Sequence, residues 1–268
     1  MKASPKLFLY LLLGAALILI VIISQSEKKP EESKEFRGMA AKEEGVAIAF
    51  EQADKLSIET SITAKKATEV STGVITTEHG DELLVLINKN IRLPATYEPE
   101  DLVGIDGLVS TTRGGTTLRK EVAKALEKMA KEAKKESIVL TVLSAYRSYW
   151  NQQATFSFWV QQVGVESAET FSARPGHSQH QLGTTVDFTS ESVNLGLTED
   201  FDSSPEGKWF VNNAPKFGFV LSYPKGAEDI TGYTYEPWHY RYIGVENAQK
   251  MINSGLILEI FLQKFGVV

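Results

Sequence analysis

The most regular feature of the chain is an uninterrupted apolar run, LFLYLLLGAALILIVII from Leu7 to Ile23, with Lys2 and Lys6 before it and the polar stretch SQSEKKPEESKE after it. A helix of that length spans roughly 25 Å at about 1.5 Å per residue, close to the hydrocarbon thickness of a bilayer once its flanks are counted. A cleaved signal peptide has a shorter apolar core, about 7–15 residues, and ends at an A-x-A-like site. No such site follows Ile23. The pattern therefore predicts a single uncleaved transmembrane anchor over residues 1–25. Its short tail is expected in the cytoplasm, although Lys2 and Lys6 on one side face Lys28 and Lys29 on the other. Either reading of the run exports the rest of the chain.

Residues 26–77 predict a tether and stalk. The part nearest the anchor is rich in Glu, Lys and Ser around Pro30 and has little to bury. A short helix is expected near Val46–Leu56, followed by a Thr/Ser/Lys-rich passage.

The folded pattern occupies residues 78–268. The run Glu82–Asn88 (ELLVLIN) predicts a buried strand, and Pro94 and Pro99 break regular structure after it. Leu118, Val122, Ala125, Leu126, Met129 and Ala133 recur at three- and four-residue steps and predict an amphipathic helix with a solvated Lys/Glu face. Ile138–Leu143 predicts a second strand, Tyr149–Val163 a helix with an aromatic face, and Thr184–Phe188 a third strand. Trp209, Phe210, Ala214 and Phe217 predict a further helix, ended by Gly218. Strands separated by loops rather than crossover helices predict an α+β domain, a short antiparallel sheet with flanking helices.

Composition narrows the chemistry. With 43% hydrophobic and 23% charged residues the chain is globular, and a net charge of −6 offers no basic patch, so nucleic-acid partners are excluded. The absence of cysteine removes disulfides, thiolate metal sites, cysteine nucleophiles and a lipidated amino-terminal cysteine. Any metal has to be held by His, Asp or Glu.

The chain has four histidines, His79, His177, His180 and His239. In Ser178-Gln-His180-Gln-Leu-Gly183-Thr-Thr-Val-Asp187-Phe188 a glycine able to turn the chain separates a histidine from an aspartate seven residues later. On the following strand Val186 and Phe188 point one way and Asp187 the other, leaving the carboxylate to meet a ligand. Farther on, Tyr235-Glu236-Pro237-Trp238-His239 pairs a second histidine with a glutamate three residues before it. His180, Asp187 and His239 make three ligands of a tetrahedral zinc site whose fourth position takes water, which is a catalytic arrangement. Glu236 is then the general base. Residues i and i+3 of a strand face opposite sides, so this pair requires a bend at Pro237. From the residues alone other readings stand beside this one. His177 and His180 form a rival ligand pair, Asp187 caps a turn, and Trp238 packs in the core or lines a cleft. His79, next to Gly80 and Asp81, reads as part of a polar turn.

Ser178-x-His180-x-x-Gly183-x-Thr185-x-Asp187 followed by Glu236-Pro-Trp-His239 resembles the VanY-type D-alanyl-D-alanine carboxypeptidases and their L,D-carboxypeptidase relatives. The resemblance extends through Val85-Leu-Ile-Asn-Lys89, Ser144-Ala-Tyr-Arg147-Ser-Tyr149 with Gln153 shortly after, Ala173-Arg-Pro-Gly176 and Gly218-Phe-Val-Leu-Ser-Tyr-Pro-Lys225. It covers roughly residues 80–245. It implies Zn2+ on His180, Asp187 and His239, Glu236 as catalytic base and Arg147 as the substrate-side cation. Ser178 and Gln153 are implied as further substrate-binding groups. The family commonly carries an aromatic at His177, a glutamate at Gln179, an alanine at Thr185 and an arginine at Ser222.

The function implied is removal of the terminal D-alanine from peptidoglycan stem peptides, outside the cytoplasm, with the membrane as a second partner through the amino-terminal helix. Cleavage of the pentapeptide (D,D) and of the tetrapeptide (L,D) are equally compatible with the motifs. A peptidoglycan endopeptidase of the same zinc group and a non-catalytic wall-binding module are the competing functions. The module has no use for Glu236 alongside all three ligands.

Overall fold

The computed structural model describes residues 74–268. The predicted anchor and the helix near Val46–Leu56 lie outside the described residues. Among those described, no helix is long and apolar enough to cross a membrane.

Strands β1 (Ile75–Thr76) and β2 (Ile91–Arg92) form a parallel pair, and β3 (Leu102–Gly104) runs antiparallel to β5 (Thr117–Arg119). Between the latter lies β4 (Ser110–Thr111), the edge of the main sheet. Helix α1 (Lys120–Lys135) follows, then β6 (Thr141–Ser144), α2 (Tyr149–Val163), α3 (Val165–Glu169) and β7 (Thr185–Thr189). The chain ends with α4 (Pro205–Asn213), β8 (Phe219–Leu221), α5 (Glu228–Thr231), β9 (His239–Tyr242), α6 (Val245–Ser254) and α7 (Leu258–Phe265). The main sheet has the order β4-β6-β7-β9-β8. It is antiparallel as expected except at the edge, where β4 and β6 are parallel. The class is α+β.

Alternation along the strands gives the sheet two apolar faces. Val186 and Phe188 of β7 join Phe219, Tyr240 and Tyr242 on one face, against Val122, Leu126 and Met129 of α1 and Phe210 of α4. Val220 lies on the other face with Val85, Ile87, Leu182, Ile243 and Phe261. The predicted Lys/Glu face of α1 carries Lys131–Glu127 and Lys135–Glu132 ion pairs, both 2.6 Å and exposed, which contribute a few tenths of a kcal/mol each.

Four expectations are corrected. Glu82–Asn88 is buried at Val85, Leu86 and Ile87 but is not a strand, since only Val85 bridges to Val267. Its backbone groups find partners outside a ladder. Arg241, fully buried, donates from Nη2 to the carbonyls of Leu83 and Val85, both at 3.0 Å. The Leu86 N–H donates to the Val267 carbonyl at 3.0 Å, and the Asn88 side chain accepts from the N–H groups of Asn90 and Ile91, each at 2.9 Å. Leu118 belongs to β5 rather than to α1. The strand expected at Ile138–Leu143 begins at Thr141, because the N–H of Ile138 returns to the Ala133 carbonyl at the end of α1 and Ser137 takes a positive φ of 62°. Finally, the helix expected from Trp209 to Phe217 is α4 plus a separate 3-10 turn, Ala214–Phe217, ended by Gly218 in the left-handed region. Helix α2 matches its expected bounds, but of its residues only Gln152 is fully buried and Trp150 stays 50% exposed.

Arg241 remains charged, with burial drawing its pKa down to about 10. Arg241→Met should strip two buried carbonyls of a charged donor, each such bond being worth about 1.5–3 kcal/mol, and so lower stability by roughly 2–4 kcal/mol. Denaturant unfolding of wild type and variant measures this, and an unchanged midpoint would contradict the role assigned to Arg241.

Candidate active site

Ser178 opens a short 3-10 turn, Gln179–Leu182, by accepting the His180 N–H on its Oγ at 3.3 Å. Gly183 ends the turn at φ 67°, a conformation that a side chain resists, and sends the chain straight into β7. Asp187 then stands opposite His239 in the β7–β9 register and opposite Ser144 on β6, where a bulge between Val142 and Ser144 shifts the pairing. The expected bend is present. Pro237 and Trp238 form a turn in which the His239 N–H donates to the Glu236 carbonyl at 3.1 Å, so both side chains reach the same place. Trp238 itself packs in the core under the sheet.

His180 Nε2 lies 3.1 Å from Asp187 Oδ2, and His239 Nδ1 lies 3.1 Å from Asp187 Oδ1. Glu236 Oε2 is 3.4 Å from the same His239 nitrogen. The two imidazoles meet edge to face, with centroids 5.0 Å apart. All four residues are at least nine-tenths buried. His177 lies outside this group, its Nδ1 paired at 2.8 Å with the Asn88 carbonyl, and His79 is exposed.

The protonation pattern points to a cation. His180 Nδ1 lies 2.6 Å from the Ala145 carbonyl, which can only accept, so the ring proton sits on Nδ1. Burial pushes the His180 pKa down to about 4, and the ring is neutral at pH 7. A bare ring nitrogen and a carboxylate oxygen, both acceptors, thus face each other at 3.1 Å, an arrangement that a positive ion between them would make favourable. Asp187 Oδ1 is buried with no hydrogen-bond partner among the described residues. One ligand atom from each of His180, Asp187 and His239 can be chosen so that all lie within 4.8 Å of one another. Two nitrogens and one oxygen on a neutral-plus-anionic set suit zinc, with the Ala145 carbonyl orienting the first ring.

Arg147 borders this group. Its Nη2 is 3.7 Å from Asp187 Oδ2, too long for a hydrogen bond, and donates instead to Ser144 Oγ at 2.8 Å, while Nη1 donates to Gln152 Oε1 at 2.7 Å. Gln152 is anchored in turn by donating from Nε2 to the Ala173 carbonyl at 2.6 Å. The Arg147 N–H donates to the His180 carbonyl at 3.2 Å, tying the cation's loop to the histidine turn. Gln153, named from the sequence, is half-buried one position on and does not join this chain of bonds. Gln152 and Ser144 were missed. The only available signal was that Gln152 begins the second turn of a helix capped by Ser148.

Two departures from the family pattern turn out to touch. Ser222 Oγ donates to Gln179 Oε1 at 2.8 Å, a neutral buried hydrogen bond where the pattern sets a glutamate and an arginine.

Comparison with known proteins follows the same residues. The family model VanY, D-alanyl-D-alanine carboxypeptidase, matches residues 115–245. The Bacillus subtilis (strain 168) protein named "Putative carboxypeptidase YodJ" is 42% identical over 194 residues, 72% of this chain and 71% of that protein. The LdcB LD-carboxypeptidase structure matches with a TM-score of 0.67 at 40% identity, covering 73% of this chain and 92% of the other. A mutant of the D,D-pentapeptidase VanY from a VanB-type resistance cassette, solved with Zn(II), matches with a TM-score of 0.57 at 31% identity, covering 67% and 98%. The chain therefore belongs to the VanY family of D-alanyl-D-alanine carboxypeptidases and is a zinc metallo-carboxypeptidase.

Proposed function

We propose that this enzyme removes the carboxy-terminal D-alanine from peptidoglycan stem peptides on the outer side of a membrane to which its amino terminus anchors it. The observation that carries the reading is the buried His180–Asp187–His239 group with Glu236 turned toward the same His239 nitrogen. Zinc, when bound there, supplies Lewis acidity toward water and a peptide carbonyl. Glu236 takes a proton from the attacking water and delivers it to the departing D-alanine amine. Arg147 offers a fixed guanidinium to the oxyanion that forms on the scissile carbonyl or to the terminal carboxylate of the peptide. Ser178 and Gln153 are proposed as lesser substrate contacts, Ser178 alongside its capping role.

The greater likeness to the LdcB LD-carboxypeptidase than to the D,D-pentapeptidase supports the tetrapeptide as the preferred substrate. The apolar run Leu7–Ile23 supports an arrangement of anchor (1–25), tether (26–77) and catalytic domain (78–268).

His180→Ala and His239→Ala should each lose bound zinc, whereas Glu236→Gln should keep it and lose turnover by roughly 10²–10⁴-fold. Equal zinc content in wild type and all three variants, measured by metal analysis, would sink the ligand assignment. Free D-alanine should appear from the tetrapeptide faster than from the pentapeptide, stop with a chelator, return with zinc, and persist with a β-lactam, since no serine acyl-enzyme forms. Absence of D-alanine from both peptides with zinc present would end the substrate proposal. The full chain should fractionate with membranes and become soluble when residues 1–25 are removed; a soluble full-length chain would refute the anchor.

A further inference from the structure

The two histidines of the cluster are held in different ways. His180 has the usual support, a hydrogen bond from its far nitrogen to a carbonyl. His239 has none, as its Nε2 is buried without a hydrogen-bond partner among the described residues. Its ring is instead supported on a face. Tyr223 lies against it with centroids 4.7 Å apart and planes at 49°, Tyr233 lies against Tyr223 at 4.7 Å and 43°, and the Lys89 ammonium sits over the Tyr233 ring, 3.4 Å from its centroid.

We propose that Lys89 is a positioning residue for His239, acting through the packed, mutually tilted rings of Tyr233 and Tyr223. The inference rests on His239 being a zinc ligand.

Each link has a physical cause. A cation 3.4 Å above a tyrosine face is attracted by the ring quadrupole, and more strongly so when both are withdrawn from water. The ammonium is fixed by donating to the Glu169 carbonyl. Burial draws the Lys89 pKa down to about 8, which still leaves the cation predominant at pH 7. The stem of Lys89 runs across Gly232, where an added Cβ would sit 3.0 Å from Lys89 Cγ and Cε, and where φ of 73° already disfavours any side chain. The loop bearing Lys89 is pinned by its neighbour, because Asn88 Nδ2 donates to the buried Glu259 Oε1 at 2.6 Å and the Asn88 carbonyl pairs with His177. The Tyr233 hydroxyl is buried without a partner among the described residues, so this residue contributes its ring face and not a hydrogen bond. The stack thus does for His239 what the Ala145 carbonyl does for His180. It limits ring rotation about the bond that aims Nδ1 at Asp187 Oδ1.

The test uses the full chain. Lys89→Met removes the charge at similar length, and Lys89→Arg keeps a cation able to stack. Zinc affinity, measured by chelator competition, should fall about 10-fold or more in Lys89→Met, the range seen when an outer-shell partner of a metal ligand is lost, and be largely restored in Lys89→Arg. Cobalt(II) in place of zinc should give shifted visible absorption bands in Lys89→Met and near-native ones in Lys89→Arg. Wild-type metal affinity and spectrum in Lys89→Met, or equal loss in both variants, would overturn the proposal. Should Lys89→Met fail to fold, Tyr223→Leu tests the link next to His239, and wild-type zinc affinity in that variant overturns it equally. His239→Ala separates the two readings: zinc retained there refutes the ligand assignment, whereas zinc lost there and unaffected in Lys89→Met refutes only the stack.

Discussion

The pairing of β7 with β9 in a single register is the constraint on which the rest depends. Side chains alternate across a strand, so a slip of one residue would carry Asp187 to the face now held by Val186 and Phe188. The slipped strand would bury a carboxylate among Phe210, Phe219 and Tyr240 and set apolar side chains opposite His239. An unpaired buried charge costs several kcal/mol and the lost aromatic packing costs a comparable amount. The apolar face therefore enforces a register that the polar face needs, although none of these core residues belongs to the ligand group.

Within that frame Arg147 and Asp187 form an ion pair without a direct hydrogen bond. Arg147 directs its hydrogen bonds to neutral acceptors, Ser144 Oγ and Gln152 Oε1, and stands off Asp187 at 3.7 Å. A guanidinium locked in a direct bidentate pair with Asp187 would compete for the oxygens that face the imidazoles. Held by neutral groups, it keeps its charge available to a substrate anion while costing no rearrangement when that anion arrives. The bulge on β6 is what permits this, since it moves Ser144 into register with Asp187 and so under Arg147.

How much of this could be read from residues alone depended on the range of the interaction. Strand β7, helix α2 and the bend at Pro237 are set by neighbours within a few positions, and they lie where periodicity and proline put them, to within one residue. The converging His180, Asp187 and His239 were legible because two local motifs and a family pattern singled them out. Glu82–Asn88 was misread because its partners, Arg241 and Val267, are some 150 or more residues away, and a short apolar run looks the same whether a ladder or a side chain satisfies its backbone. Gln152, and not its neighbour Gln153, meets Arg147 because adjacent residues of a helix point about 100° apart, so that only one of them can face the guanidinium. Lys89, between two asparagines, reads as a solvated lysine until the fold brings Tyr233 beneath it.

The parity of β9 joins these distant pieces. His239 and Arg241 are two residues apart and share a face; the first aims at the ion site, and the second binds the carbonyls of Leu83 and Val85. That pinned segment runs on into Asn88 and Lys89, whose ammonium returns through Tyr233 and Tyr223 to the ring of His239. A single strand thus holds the 83–89 segment at both ends, once through a guanidinium and once through an aromatic stack. The closed path gives a role to a fully buried arginine that has no acidic partner among the described residues. Its Nη2 bonds to two carbonyls offset part of its desolvation, while Nε and Nη1 are buried without a partner among the described residues, and the segment it fixes is the one that supports a ligand lacking a hydrogen bond of its own.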